Sequence, residues 1–309
     1  MKLWHGFFLA AVCIGNLVLG GLPVTARSAS PQVGKGRFAL GVDARIMGDV
    51  DLKDAKAALE IWVKELANKA GFRPETYLLE SGAEVREHIL NGTLDMANTN
   101  ALEFLRLRQD LKIELMYGTL RGGRRTHRYL LLVRSDADIQ KLSDLKHKRL
   151  MLKRNEPIGT IFLNTLLLQN RLPESDQFFD QIELRHAFSK GVLSVFFGKT
   201  DACIVEDLVY ETMVELNPQL GKQLTILETS SEIVNNFSFI RRDYGKAQKE
   251  YLRQECFNII QSPRGRQILA LFQVDDLVPL KESDLETLKS LVHAYETLKQ
   301  GPVVSDKFR

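Results

Sequence analysis

GVLSVFFGKTDACIVED (residues 191–207) carries a helical pattern, then a glycine, then an aspartate that opens a short apolar run. EVREHILNGTLDMANTN (84–100) repeats that order. In each copy Gly92 or Gly198 supplies the positive backbone φ that stops a helix, and Asp95 or Asp201 then leads into small or apolar residues suited to a buried parallel strand. Two similar α/β halves follow from this repeat. Such a pair is suited to closing around something small.

Outward from the two copies, apolar periods of 2 and 3.6 alternate between short turn signals, the mark of βαβ construction. RFALGV (37–42) reads as a strand, and 51–71 as an amphipathic helix with Ala55, Leu59, Trp62, Val63 and Leu66 on one stripe and Gly71 at its end. Strand 76–80, helix 82–91, strand 94–97, helix 100–109 and strand 112–118 complete a first lobe. After a glycine-arginine stretch come strands 129–134 and 149–153, helix 158–170, strand 181–186, helix 189–197, strand 201–205, helix 206–216 and strand 223–228. Helices then span 245–260, 263–272 and 283–299. The chain is expected to cross between lobes near 118–128 and 226–240, with 36–120 plus 229–309 forming the first lobe and 121–228 the second.

A length of 309 residues and 44% hydrophobic content suffice for two ordinary cores. Residues 1–28 stand apart. Lys2 precedes LWHGFFLAAVCIGNLVLGGL and the small-residue stretch PVTARSAS, the order of a cleavable export signal with cleavage near Ala26 or Ser28. A retained membrane helix is the alternative, disfavoured by His5, Asn16 and the glycines that interrupt the run. Cys13 follows Val12, a poor residue before a lipoprotein cleavage. The expected mature protein is soluble, monomeric and periplasmic.

Formal net charge is +3, or +2 once Lys2 leaves with a signal segment, which argues against a general nucleic-acid binder. Cys203 and Cys256 lie far apart, in a strand and a helix, and read as two buried hydrophobes. No metal-ligand spacing and no nucleotide-binding or nucleophile-elbow motif is present, so neither a metal, a cofactor nor an enzymatic role is expected.

One run carries a family resemblance. LSDLKHKRLML (142–152) resembles the sLxDLkGkrv segment in substrate-binding proteins of ABC transporters, in the phosphonate/phosphate/phosphite branch that groups with sulfonate binders and transferrin. It is followed in order by the helix start RNEPIGTIF, by His186, by a helix ending in glycine and by Asp201-Ala202, while VREHILNGTLDMA resembles the segment closing the first half-lobe. The resemblance covers most of 36–240. It implies an α/β, two-lobed type II periplasmic-binding fold, each lobe a mostly parallel sheet flanked by helices, with a ligand held between lobes for a membrane permease; the helix-start loops and the arginine cluster make a small oxyanion the expected ligand. Better-known phosphonate binders carry Ser and Thr at the second-lobe helix start, where this chain has Asn155-Glu156-Pro157-Ile158-Gly159-Thr160. His147 replaces the usual turn glycine, a change tolerated because histidine is enriched among non-glycine residues at positive φ.

Ligands of open α/β sheets lie beyond the carboxyl ends of strands, where helix N-termini present unpaired N–H groups. The candidate contacts are therefore Asp43 and Arg45, then Asn98, Thr99 and Asn100, then Asn155, Gly159 and Thr160, and finally His186 and Glu206. Each has a plainer reading. Asn98 to Asn100 can simply cap a helix, Gly159 can give clearance behind a proline-started helix, and Glu206 suits a first helical turn. In LRGGRRTHRY (120–129) Arg124 and Arg125 are the candidates to fork onto an anion from the first crossing, the alternative being a solvated basic loop. Besides transport, a sensory module read by a membrane receptor and an exported enzyme on the same scaffold fit these residues.

Overall fold

The protein is described by a computed structural model over residues 36–47, 50–234 and 236–300. The export signal expected at 1–28 lies outside the described residues. The first half runs β1 (Arg37–Asp43), α1 (Leu52–Ala70), β2 (Arg73–Leu79), α2 (Gly82–Leu90), β3 (Met96–Asn100), α3 (Ala101–Leu107) and β4 (Ile113–Leu120). The second contains β5 (Tyr129–Arg134), β6 (Arg149–Lys153), α4 (Pro157–Gln169), α5 (Ser175–Phe178), β7 (Gln181–Arg185), α6 (Phe188–Phe196), β8 (Ala202–Glu206), α7 (Asp207–Leu216), α8 (Pro218–Gln223) and β9 (Leu224–Thr229). Then follow β10 (Asn236–Arg241), α9 (Lys246–Ile260), α10 (Pro263–Leu271), β11 (Asp276–Val278) and α11 (Glu286–Gln300).

Two sheets form, ordered β11-β4-β10-β3-β1-β2 and β7-β6-β8-β5-β9. In the first, β1, β2, β3 and β4 run one way and β10 and β11 the other; in the second only β5 is reversed. The chain leaves the first sheet after β4 to supply the reversed strand β5 of the second, and leaves the second after β9 to supply the reversed strand β10 of the first. Between the sheets the two crossings pair with each other through an antiparallel bridge of His127 with Ile233 and an Arg128–Glu232 ion pair at 2.7 Å. Strand β10 falls within the expected second crossing, although Asn236-Phe237-Ser238-Phe239 alternates polar and apolar. Its neighbours β3 and β4 hold it by both edges.

The repeated motif has one structural meaning. Gly92 (φ 65°) and Gly198 (φ 67°) close α2 and α6 in left-handed backbone, and their N–H groups return to Ile89 O and Val195 O. Asp95 then donates its N–H to Ala39 O at 3.0 Å and accepts the N–H of Ala39 on its carboxylate at 2.9 Å. Asp201 does the same with Arg149, at 2.9 and 2.8 Å. Each aspartate thus clamps the strand it opens to the neighbouring parallel strand. Arginine completes both clamps, since Arg37 donates to Gly92 O and Arg149 to Gly198 O.

Strand alternation sets the layers. Phe38, Leu40 and Val42 of β1 pack with Trp62 and Leu66 of α1 and with Leu252 and Ile259 of α9, while Ala39 faces the layer of α2 and α3 that runs on into the core of the second sheet. Helices α9 and α10 pack on α1. The last helix, expected from the sequence to join them in the first lobe, instead packs along α4 of the second. Its buried stripe through Leu288, Leu291 and Tyr295 finds apolar cover there, and Lys299 pairs with Glu174 at 3.0 Å. His147 adopts φ 61°, as its place in a glycine turn requires.

Replacing Asp201 by Asn is expected to lower the unfolding free energy by about 1 kcal/mol at pH 7, because the amide still accepts the Arg149 N–H but loses the guanidinium. Hydrogen bonds from Arg149 hold the Asp201 carboxyl below its usual range, so its contribution is present at neutral pH and lost as pH falls through that lowered value. Denaturant titrations of the two proteins should therefore converge in acid. A gap that persisted at pH 2 would contradict the ionic clamp.

Candidate functional site

The carboxyl ends of β1, β3, β6, β7 and β8 converge on one cavity of about 280 Å³ between the sheets. Its first-lobe wall includes Arg45, Asn100 and Asn236, and its second-lobe wall Lys153, Asn155, Glu156, His186, Ser189 and Glu206. Arg121, on the first crossing, lies between the two walls. Residues from seven separate segments thus meet in one place.

Arg45 is aimed by residues behind it. Asp43 is wholly buried, accepts the Arg45 side chain at 2.8 and 2.6 Å and its backbone N–H at 3.0 Å, and takes a hydrogen bond from Thr99 Oγ1 at 3.3 Å. Those hydrogen bonds hold the guanidinium firmly charged. Asp43 and Thr99 therefore sit beneath the cavity instead of lining it. Asn100 does two jobs, capping α3 by accepting Glu103 N–H at 2.8 Å while lining the cavity. Asn98, two residues earlier and on the same side of the strand, accepts from Ser238 and lines a different, smaller cavity inside the first lobe.

The loop 155–160 divides. Asn155 takes left-handed backbone (φ 59°) and, with Glu156, lines the cavity. Gly159 lies inside α4, where a Cβ would stand 3.0 Å from Ile204 Cγ2 and 3.1 Å from the Tyr129 ring, so its task is helix-to-sheet clearance. Thr160 Oγ1 turns back to Glu156 O at 3.4 Å. His186 is exposed at the rim and lines the cavity.

Of the arginine cluster it is Arg121 that reaches the main cavity, bonding Glu206 at 3.2 Å. Arg124 is forked onto Glu211 at 3.1 and 2.7 Å, and Arg125 onto Pro279 O at 2.6 Å and Asp284 at 3.2 Å. These two staple the crossing to the second lobe and to the segment before α11. They line a side niche with Thr126 and His127.

Lys153, Glu156, Arg121 and Asn236 are cavity residues absent from the sequence candidates. Lys153 closes β6 at its carboxyl end and was findable by the same rule that picked the loops. Asn236 opens β10, a stretch assigned from the sequence to the second crossing.

The cavity is mixed in charge. Burial pushes the Glu206 carboxyl up, but His127, Arg121 and Lys153 together outweigh it and hold that acid below its usual range. Glu156 goes the other way, raised first by burial and then by repulsion from Glu206, and it accepts the Tyr129 hydroxyl at 2.8 Å. Lys153 Nζ stands 4.8 Å over the Phe188 ring at the start of α6. Among the described residues, the other two cations of this cavity, Arg45 and Arg121, are in ion pairs with carboxylates and Lys153 is not. The N-cap of α6, Ala187, offers no side chain to the first-turn N–H groups.

The family model described as "ABC transporter, phosphonate, periplasmic substrate-binding protein" matches residues 48–285. Among solved structures the chain is similar to XAC2383 from Xanthomonas citri bound to chloride ion, with a TM-score of 0.66, 17% identity, and coverage of 85% of this chain and 98% of that one. It is similar also to a binding protein component of an ABC phosphonate transporter (PA3383) from Pseudomonas aeruginosa, with a TM-score of 0.62, 15% identity and coverage of 86% and 88%. PhnD1 from Prochlorococcus marinus in complex with methylphosphonate gives a TM-score of 0.62, 14% identity and coverage of 85% and 98%. At these identities the structures show the fold, two mixed sheets flanked by helices in the type II binding-protein arrangement. No curated protein matches the chain in sequence.

Because the Glu156 carboxyl is raised, the folded state holds its proton more tightly than the unfolded chain, and stability declines as pH rises through that range. Glu156→Gln keeps an acceptor for Tyr129 and is expected to melt about 2 °C above the parent at pH 7.5 and level with it at pH 4. A lower melting temperature at pH 7.5 would refute this account of the pair.

Proposed function

Because the chain belongs to the periplasmic substrate-binding protein family of phosphonate ABC transporters, a family of solute carriers that serve a membrane permease, we propose that its interlobe cavity captures a small oxyanion. The observation that carries this reading is the pairing of Lys153, a cavity cation that contacts no carboxylate, with the uncapped start of α6. An ammonium group without a carboxylate in contact and a helix N-terminus without a side-chain cap attract the same kind of group. Ser189 in the first turn and His186 at the rim supply further hydrogen bonds to it.

Arg45 and Asn100 reach the same space from the first lobe. A ligand touching both walls draws them together, so closure about the paired crossings follows from binding. Glu156 and Glu206 would repel a fully anionic guest. The oxyanion is therefore accommodated best beside Lys153, away from Glu206. Replacement of the hydroxyl-rich helix start by Asn155-Glu156-Pro157 means that the head-group contacts differ from those of phosphonate binders with Ser and Thr there. Export by residues 1–28, a monomeric state and the lack of catalytic turnover complete the proposal. No observation favours the sensory reading over delivery to a permease.

A thermal-shift series with phosphate, phosphite, methylphosphonate, methanesulfonate and acetate tests the ligand class. An oxyanion at about 100 times its dissociation constant should add roughly 2.7 kcal/mol to stability. Lys153→Ala should weaken the best of them roughly tenfold to a hundredfold. Stabilisation by neutral or cationic solutes alone would overturn the reading.

A further inference from the structure

Behind the first-lobe wall lies a second cavity of about 130 Å³, between α1, the inner face of the sheet and α10. Native interiors hold few voids larger than a water molecule. Leu59 and Trp62 of α1, Leu40 of β1 and Leu269 of α10 give it an apolar lining. Three of its polar wall groups, Asn98, Tyr117 and Ser238, are engaged with one another. Ser238 donates to Asn98, and the Tyr117 hydroxyl bonds with Ser238 and Cys256. A mostly apolar lining offers water little, and an engineered apolar cavity of about 150 Å³ takes up benzene.

Ile46, Met47, Asn236 and Phe272 line both this cavity and the interlobe one. The partition is thus a side chain thick. It contains a methionine and an isoleucine carried on the short 3-10 turn Ala44–Met47 that also carries Arg45. A ligand that spans the cleft from Lys153 to the first-lobe wall has its other end at this partition.

We propose that the first-lobe cavity is an apolar compartment of the binding site and takes a hydrocarbon substituent of the cleft's ligand, an alkyl chain of about four carbons or one aromatic ring. This rests on the oxyanion reading of the cleft. It makes the ligand class an amphiphilic oxyanion with its charged head between the lobes and its tail in the first.

Calorimetric titration of the mature protein with methyl-, ethyl-, propyl-, butyl- and benzylphosphonate, and with the matching sulfonates and carboxylates, tests this. Affinity is expected to rise about fourfold for each added methylene up to butyl. Leu269→Phe, which fills the cavity, should flatten the series. An equal affinity across chain lengths in the unaltered protein, or a rise that survives Leu269→Phe, overturns the compartment. If no oxyanion of any length binds, the cleft reading fails, and thermal shifts with 1-pentanol and benzyl alcohol decide the cavity alone. A shift seen in the unaltered protein and lost in Leu269→Phe supports the apolar compartment, and no shift from either alcohol sinks it.

Discussion

The architecture depends on a carboxylate accepting a backbone N–H across two parallel strands. Asp95 and Asp201 each stand just after a helix stopped by glycine, where the chain must turn back into a sheet at a defined register. Pairing N–H and C=O with one residue of the neighbouring strand leaves little freedom to slip, and a slip by one residue would exchange the buried faces of the strand. Because the clamp fixes β3 against β1 and β8 against β6, the carboxyl ends of these strands emerge side by side. The loops that line the interlobe cavity are carried on those ends.

The crossings impose the second constraint. Each sheet receives its reversed strand from the chain segment returning from the other, so the two connections must run alongside each other and do so through His127, Arg128, Ile233 and Glu232. Arg121, Arg124 and Arg125 occupy three successive roles along one of them: cavity wall, staple to α7, and staple to the segment before α11. A basic cluster that looks uniform in sequence is thus divided by the positions of its acidic partners. Arg121 and Glu206 are 85 positions apart, and Arg125 and Asp284 are 159.

Charge in the cavity is arranged by burial as much as by residue type. Two glutamates close enough to repel are pushed in opposite directions, Glu206 kept ionised by its cationic neighbours and Glu156 raised beside a tyrosine hydroxyl. Lys153 contacts neither acid and stands instead over the Phe188 ring at the start of α6. The combination leaves one positive and one helix-terminal group facing the same volume. The partition through Met47 and Phe272 then separates this polar space from a mostly apolar one.

Much of this fold is legible in the chain itself. Periodicity located the strands of the second sheet almost to the residue, glycine marked where α2 and α6 end, and the rule that ligands sit beyond strand termini led to Arg45, Asn100, Asn155, His186 and Glu206, all of which line one cavity. These are short-range matters, decided by backbone conformation within a few residues. Tertiary structure decided the rest. It turned Asp43 and Thr99 into supports, gave Gly159 a packing task, engaged Arg124 and Arg125 elsewhere, brought in Lys153, Glu156 and Asn236, made β10 a strand between two others, and laid α11 on α4. Each of those outcomes depends on which side chain lies opposite. No periodicity records that, because the partners are brought together only when the sheets close.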